Sequence, residues 1–151
     1  MPERGIAALG RFARVVSDAA APSDVLQLLA SALHEHVSPD GVAVFALGPD
    51  GTLRVAAERG LGASLDAIVV DLDDVADLSK RVREAVGPTF VSHTTRPLVA
   101  SAALYGDVVL LSKTAEEPYL DLAEGLIDLA AVALGTAAHV AQLERQADEL
   151  R

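Results

Sequence analysis

No cysteine occurs among the 151 residues. The chain therefore has no disulfide, no thiolate metal ligand and no thiol for a thioether-linked cofactor. Tryptophan is absent too, and the aromatic residues are Phe12, Phe45, Phe90, Tyr105 and Tyr119. A site built by stacking a base or flat ring on Trp or Tyr has little to draw on. No uninterrupted apolar run approaches the roughly 18 residues needed to span a membrane. Arg11 and Arg14 interrupt the first apolar stretch, which rules against a signal peptide. A cytoplasmic protein is the expectation, with no membrane partner. Positive charge is also scarce: 12 Lys and Arg stand against 22 Asp and Glu, for a net charge of −10. That balance repels phosphate backbones and speaks against nucleic-acid binding.

What is present is a large apolar fraction, 51% of residues, mostly Ala, Val and Leu, enough for a core without staples. The length suits one domain, or one domain with an extended helix. The strongest pattern lies at the C-terminus. Leu126, Leu129, Ala133, Thr136, Val140, Leu143, Ala147 and Leu150 recur in alternating steps of three and four, and only Thr136 is polar. Such steps keep one helical stripe facing a partner helix. A helix from Pro118 to Leu150 would be about 50 Å long, so its end should project beyond a small domain. Ile6, Leu9, Ala13, Val16 and Ala20 repeat the pattern near the N-terminus. Two such stripes, doubled by a two-fold axis, would close a four-helix bundle. The predicted homodimer interface is therefore Ile6, Leu9, Ala13, Val16, Leu129, Ala133, Thr136, Val140, Leu143 and Leu150. The plainer alternative is a long core helix within its own domain.

Between these stripes the period changes repeatedly. Pro22 to Val37 reads as a helix ended by Ser38-Pro39-Asp40-Gly41. Val42–Leu47 and Thr52–Glu58 read as strands joined by the Gly48-Pro49-Asp50-Gly51 turn. A short strand at Ile68–Leu72 precedes a helix capped by Asp73 or Asp74 and stopped by Gly87-Pro88. Thr89–Ser92 reads as a strand, His93–Pro97 as a polar loop. Leu98–Leu104 and Val108–Ser112 form a hairpin turning at Tyr105-Gly106-Asp107, before the long helix that Glu116, Glu117 and Pro118 begin. The order predicts an α+β fold: a central antiparallel β-sheet of about five to six strands, with the N- and C-terminal helices packed on one face. The domain plan is residues 1–20 as an amphipathic dimer helix, 21–135 as the domain proper, and 136–151 as a coiled-coil-like extension.

Catalytic and metal motifs are hard to find. His34 and His36 are two apart on a helix and point apart, so they cannot share a metal. Asp71, Asp73, Asp74 and Asp77 lack the Gly and closing Glu of a calcium loop. No phosphate-cradling Gly-rich loop and no nucleophile elbow occurs. No metal site, no catalytic residue and no enzyme activity are expected.

In order and spacing, nearly the whole chain resembles the GAF domain family. The resemblance rests on Val25–Leu33, Val42-Ala43-Val44-Phe45 with the Gly-Pro-Asp-Gly turn, Leu53–Gly60, Pro97-Leu98, Leu104–Leu111 and Leu122–Ala138. It implies a small-molecule pocket on one face of the sheet and a bundle of terminal helices on the other. It also implies a sensory or regulatory role beside an output such as a histidine kinase, cyclase or phosphatase, as in two-component signalling. In such a pocket the polar groups would come from Ser92, His93, Thr94, Thr95, Arg96 and Ser101, with Arg96 as partner of an anionic group. Arg96 reads equally as a solvated residue before a proline, and a lone His93 is weak evidence for haem. The chain departs from the subtypes that hold thioether-linked bilins, for want of cysteine, and from the Asn-Lys-x-Asp pattern of those that bind cyclic nucleotides. Hence no cofactor is predicted, an unidentified small ligand apart. The partners implied are a second copy and a downstream signalling domain in cis or trans. The alternatives are a ligand-free dimerisation scaffold or a roadblock/longin-like interaction module.

Overall fold

A computed structural model describes residues 2–19, 21–37, 40–62, 64–114 and 120–150, with backbone alone at residues 2–4. Expectations about Ala20, Ser38, Pro39, Glu116, Glu117, Pro118 and Arg151 lie outside the described residues. The elements run α1 (Pro2–Ser17), α2 (Pro22–Ala32) with a π-helical turn at Leu33–Val37, β1 (Gly41–Leu47), β2 (Thr52–Arg59) and β3 (Val69–Asp71). A 3₁₀ segment (Leu72–Asp77) then leads into α3 (Leu78–Val86), followed by β4 (Ser92–Ala100), β5 (Ala103–Ser112) and α4 (Leu120–Glu149).

Among the described residues the strands form one antiparallel five-stranded sheet in the order β3-β2-β1-β5-β4. β1 lies at the centre and is buried on both faces, which explains its unbroken Val42-Ala43-Val44-Phe45 run. Val42 and Val44, with Leu98, Val108 and Leu110, meet the helical layer of α1, α2 and α4. Ala43 and Phe45, with Leu53, Val109 and Leu111, face Leu61, Leu65, Ile68, Leu78, Val82 and Phe90 on the other side. The fold is therefore α+β with the terminal helices together on one face.

Two bulges place side chains that strict alternation would misassign. Ala56 and Ala57 both stand opposite Val44 in β2, and Tyr105 and Gly106 both stand opposite Leu98 in β5. The β1–β2 turn is held by Asp50, whose Oδ1 accepts the Thr52 hydroxyl at 2.7 Å and the Thr52 N–H at 3.2 Å. These bonds, the hydroxyl first, hold the Asp50 carboxyl below the usual carboxylate range.

α4 buries Ala123, Leu126, Ile127, Ala130, Ala131 and Leu134, a stripe at alternating steps of three and one that matches a broad core-facing surface. α1 lies alongside it in the same direction: Gly5 is near Leu122, and a Cβ on Gly125 would come within 2.8 Å of the Leu9 side chain. Although no uninterrupted apolar run is long enough, the whole of α4 is long and apolar enough, by length and composition, to cross a membrane. Core packing accounts for that apolarity in its first half.

Several local expectations differ from the structure. The hairpin does not turn at Tyr105–Asp107, which lie within β5; it turns at Ser101 and Ala102, whose φ values are +51° and +63°. His93–Pro97 is not a loop but the body of β4, and the expected strand at Thr89–Ser92 begins only at Ser92. Thr–Thr–Arg–Pro reads as loop chemistry, yet β5 supplies a full ladder of partners, and tertiary pairing overrides local preference. In α1 the buried side is Ala8, Phe12 and Val16 with Leu9 half-buried, while Ile6 is 70% exposed. The stripe is rotated because Phe12, the larger group, takes the core position.

Two consecutive left-handed residues make the β4–β5 connection a turn of the I′ type, which favours glycine at its second position. Ala102 instead carries a Cβ there. Ala102→Gly is expected to stabilise the domain by about 1 kcal/mol, read as a higher thermal midpoint. An unchanged or lower midpoint would contradict the turn geometry.

Candidate functional site

Strand alternation on β4 divides the residues that the sequence grouped as one site. Ser92, Thr94 and Arg96 stand opposite Ser112, Leu110 and Val108 and share their face, toward the helical layer. His93 and Thr95 stand opposite Leu111 and Val109, toward α3. Ser101 is in the hairpin turn at the far end of β4 from Ser92. These residues do not converge.

Arg96 has an internal role. Its Nε donates to Glu124 Oε1 at 3.1 Å and its Nη1 to the Thr95 carbonyl at 2.8 Å, which ties β4 to α4. An ion pair this exposed is worth under about 1 kcal/mol, but it draws Arg96 away from a ligand. Ser92 Oγ donates to the Thr114 carbonyl at 3.0 Å. A comparable tie exists on the other flank. Arg59 reaches Gln27 Oε1 and Ser31 Oγ on α2, at 3.1 and 3.0 Å, and Gln27 donates to the Ala56 carbonyl at the β2 bulge.

On the α3 side of the sheet, an open groove of about 700 Å³ runs between α3 and the start of β4. Ser79, Lys80, Arg83 and Glu84 form one wall, Gly87 and Pro88 one end, and Phe90, Val91 and His93 the floor and far wall. α3 is set by Leu78 and Val82, both buried, and by Arg81, whose Nη1 donates to the Val69 carbonyl at 2.8 Å. Lys113 lies next to this region, its Nζ 5.8 Å from the centre of the Phe90 ring. Of the sequence-predicted site only His93 lines the groove. Lys80 and Arg83 went unnoticed as site residues, because the i, i+3 spacing on an exposed helix face reads as solvated charge.

Asp107 was also missed. It is 6% exposed, set between Phe45 on β1 and Pro97 on β4, on the α3 side of the sheet. Burial pushes its carboxyl up to about 6, with the Val108 backbone N–H pulling weakly the other way. An acid directly before an apolar Val-Val-Leu-Leu strand was the available signal; placing it in a turn hid it. Among the described residues no group of three His, Asp or Glu is arranged to hold a metal ion.

Neither a protein-family model nor a curated protein sequence matches the chain. Solved structures do. The GAF domain of an Acinetobacter phosphoenolpyruvate-protein phosphotransferase superposes with a TM-score of 0.73 at 14% identity, over 94% of this chain and 97% of that one. The corresponding domain from Coxiella burnetii gives 0.71 at 15%, over 93% and 96%. The second GAF domain of DevS from Mycobacterium smegmatis gives 0.61 at 20%, over 82% and 99%. The chain has the GAF fold. At 94% of this chain, the match takes in at least part of α1, the helix that a roadblock or longin arrangement leaves unexplained.

Another GAF-fold neighbour is the phycoerythrobilin-bound domain of a cyanobacterial phytochrome, at 0.66 and 16% identity, over 86% and 93%. In this chain the α3 side of the sheet, where described, is filled by Phe45, Leu61, Leu65, Ile68, Leu78, Val82 and Phe90, none more than 8% exposed. With no cysteine in the chain, these residues do not fit a thioether-linked bilin.

Proposed function

We propose that this GAF-fold chain is a cytoplasmic sensory or regulatory module of a bacterial-type signalling protein, without catalytic activity, that dimerises through its terminal helices and acts on an output domain along α4. One observation carries the reading. Core contacts of α4 end at Leu134, yet the helix continues to Glu149 with an apolar stripe. Val132, Val140 and Leu143 are 58%, 46% and 50% exposed, and Leu150 is 89% exposed. With Thr136 and Ala147 they line one side of a helix about 45 Å long. A long helix does not keep an unpaired apolar stripe in water without cost, and a second copy covers it at heptad spacing. Ile6 and Val15 on α1 are exposed too, on opposite sides of that helix. Leu129 and Ala133 are half-buried against the core, which supports a dimer contact that begins near Val132.

A change within the domain would reach the output as a shift in the splay or register of the paired α4 helices. Ligand response belongs to this reading through the α3–β4 side, where His93 and Thr95 lie, rather than through Ser92, Arg96 or Ser101. The alternative of a ligand-free scaffold is supported by the filled sheet face.

Val140→Glu combined with Leu143→Glu places two charges in the middle of the stripe. Light scattering coupled to size exclusion should report a dimer for the wild type and a monomer for the double variant, with unchanged circular dichroism because both positions are exposed. A wild type that stays monomeric at its highest attainable concentration would overturn the proposal.

A further inference from the structure

We propose that the groove between α3 and β4 binds a small molecule through a phosphate or diphosphate group, held by Lys80 and Arg83 with His93 opposite. The chain has only two lysines, Lys80 and Lys113, and both stand at this groove or on the Phe90 ring that floors it. In a chain of net charge −10, Lys80 and Arg83 set two positive charges on one wall of this groove against the single negative charge of Glu84. Among the described residues, neither Lys80 nor Arg83 has a carboxylate within ion-pair distance, unlike Arg54 and Arg96. Their charge is therefore available to a ligand.

The geometry suits an anion with a small body. Lys80 and Arg83 are one helical turn apart on α3 and project from the same wall. Lys provides a point charge and Arg a forked donor, the two kinds of group that hold phosphate oxygens. Glu84 lies on the same wall and opposes an anion, but Lys80 and Arg83 outnumber it there; Asp77, one helical turn before Lys80, is not among the lining residues. The distant acids count for little, since the Debye length is about 8 Å at physiological ionic strength. A volume of about 700 Å³ is that of a small-molecule cleft, with Pro88, Phe90 and Val91 as apolar lining. The filled interior face of the sheet directs a ligand to this outer groove. The inference does not depend on dimerisation.

The test is a titration of the wild-type chain with inorganic pyrophosphate, followed by two-dimensional amide NMR at ionic strength held constant with sodium chloride. Saturable shifts are expected at Lys80, Arg83, Val91 and His93. Lys80→Gln with Arg83→Gln should weaken the apparent affinity by about tenfold or more. Both side chains are outside the core, so the variant keeps its fold, and light scattering should give it the wild-type mass. Arg14→Gln with Arg54→Gln, which removes the same two charges from α1 and β2, should titrate like the wild type. Shifts that never saturate, or that persist in the Lys80/Arg83 variant, would overturn the proposal. Tighter binding of citrate than of pyrophosphate at the same residues would overturn its assignment to phosphate.

Discussion

Gly106→Ala is expected to destabilise the domain by about 3 kcal/mol, at the upper end of the usual overpacking cost. Gly106 is the second residue of the β5 bulge and pairs with Ala46 of the central strand. A Cβ there would lie 2.0 Å from the Phe45 carbonyl oxygen and 3.1 Å from its carbon. The obstacle is backbone in the middle of the sheet, so no side chain can swing aside. Relief requires β1 and β5 to separate or the bulge to migrate, and either breaks ladder hydrogen bonds. Gly51→Ala is the control. Its φ of +80° is costly for alanine, but nothing lies within 4 Å of the added carbon. That change should cost only about 1 kcal/mol. Urea unfolding of the two variants separates a packing clash from a turn preference. If Gly51→Ala proves the more damaging, the bulge is not where Gly106 places it.

Asp107→Asn should stabilise the domain at neutral pH and flatten its pH dependence. The folded carboxyl titrates at about 6 against an ordinary value of 3.8, with burial as the chief cause. A raised folded pKa means that the native state holds the proton more tightly than the unfolded chain. The group therefore favours folding most fully below pH 3.8, and that contribution is withdrawn as pH rises through about 6. Above that the effect is constant, at most about 3 kcal/mol and, with partial solvation, about 2 kcal/mol. Asn keeps the shape and needs no proton. The difference in unfolding free energy between variant and wild type should grow from pH 4 to about 6 and then level. Parallel curves over that range would mean that Asp107 stays charged and well solvated when folded.

Period and punctuation in the sequence reached far in this chain. The apolar steps from Leu126 to Leu150, with no Gly, Asn or Pro to stop them, are read from 3.6-residue geometry alone, and α4 runs to Glu149. The Gly48–Gly51 turn and the Val42–Phe45 run placed the first hairpin for the same reason: turn chemistry and strand burial are local. The second hairpin was misplaced because Tyr105-Gly106-Asp107 looks like a turn, whereas Ser101 and Ala102 are poor residues for the left-handed turn they form. Only the pairing of β5 with both β1 and β4 makes Gly106 and Asp107 strand residues.

The candidate site was less legible, since a list of neighbouring polar residues says nothing about faces. In an extended strand, consecutive side chains diverge, so β4 sends Arg96 to Glu124 on one side and His93 to the α3 groove on the other. Composition and periodicity by themselves determined the α+β class, the absence of thiol chemistry and the long apolar stripe, because each follows from residue types and their spacing. The tertiary structure decided the rest: Phe12 rather than Ile6 in the core, Arg96 tied to a helix, Asp107 buried, and Lys80, Arg83 and His93 brought around one groove. Those outcomes depend on register and on contacts between residues far apart in the chain, which local spacing does not encode.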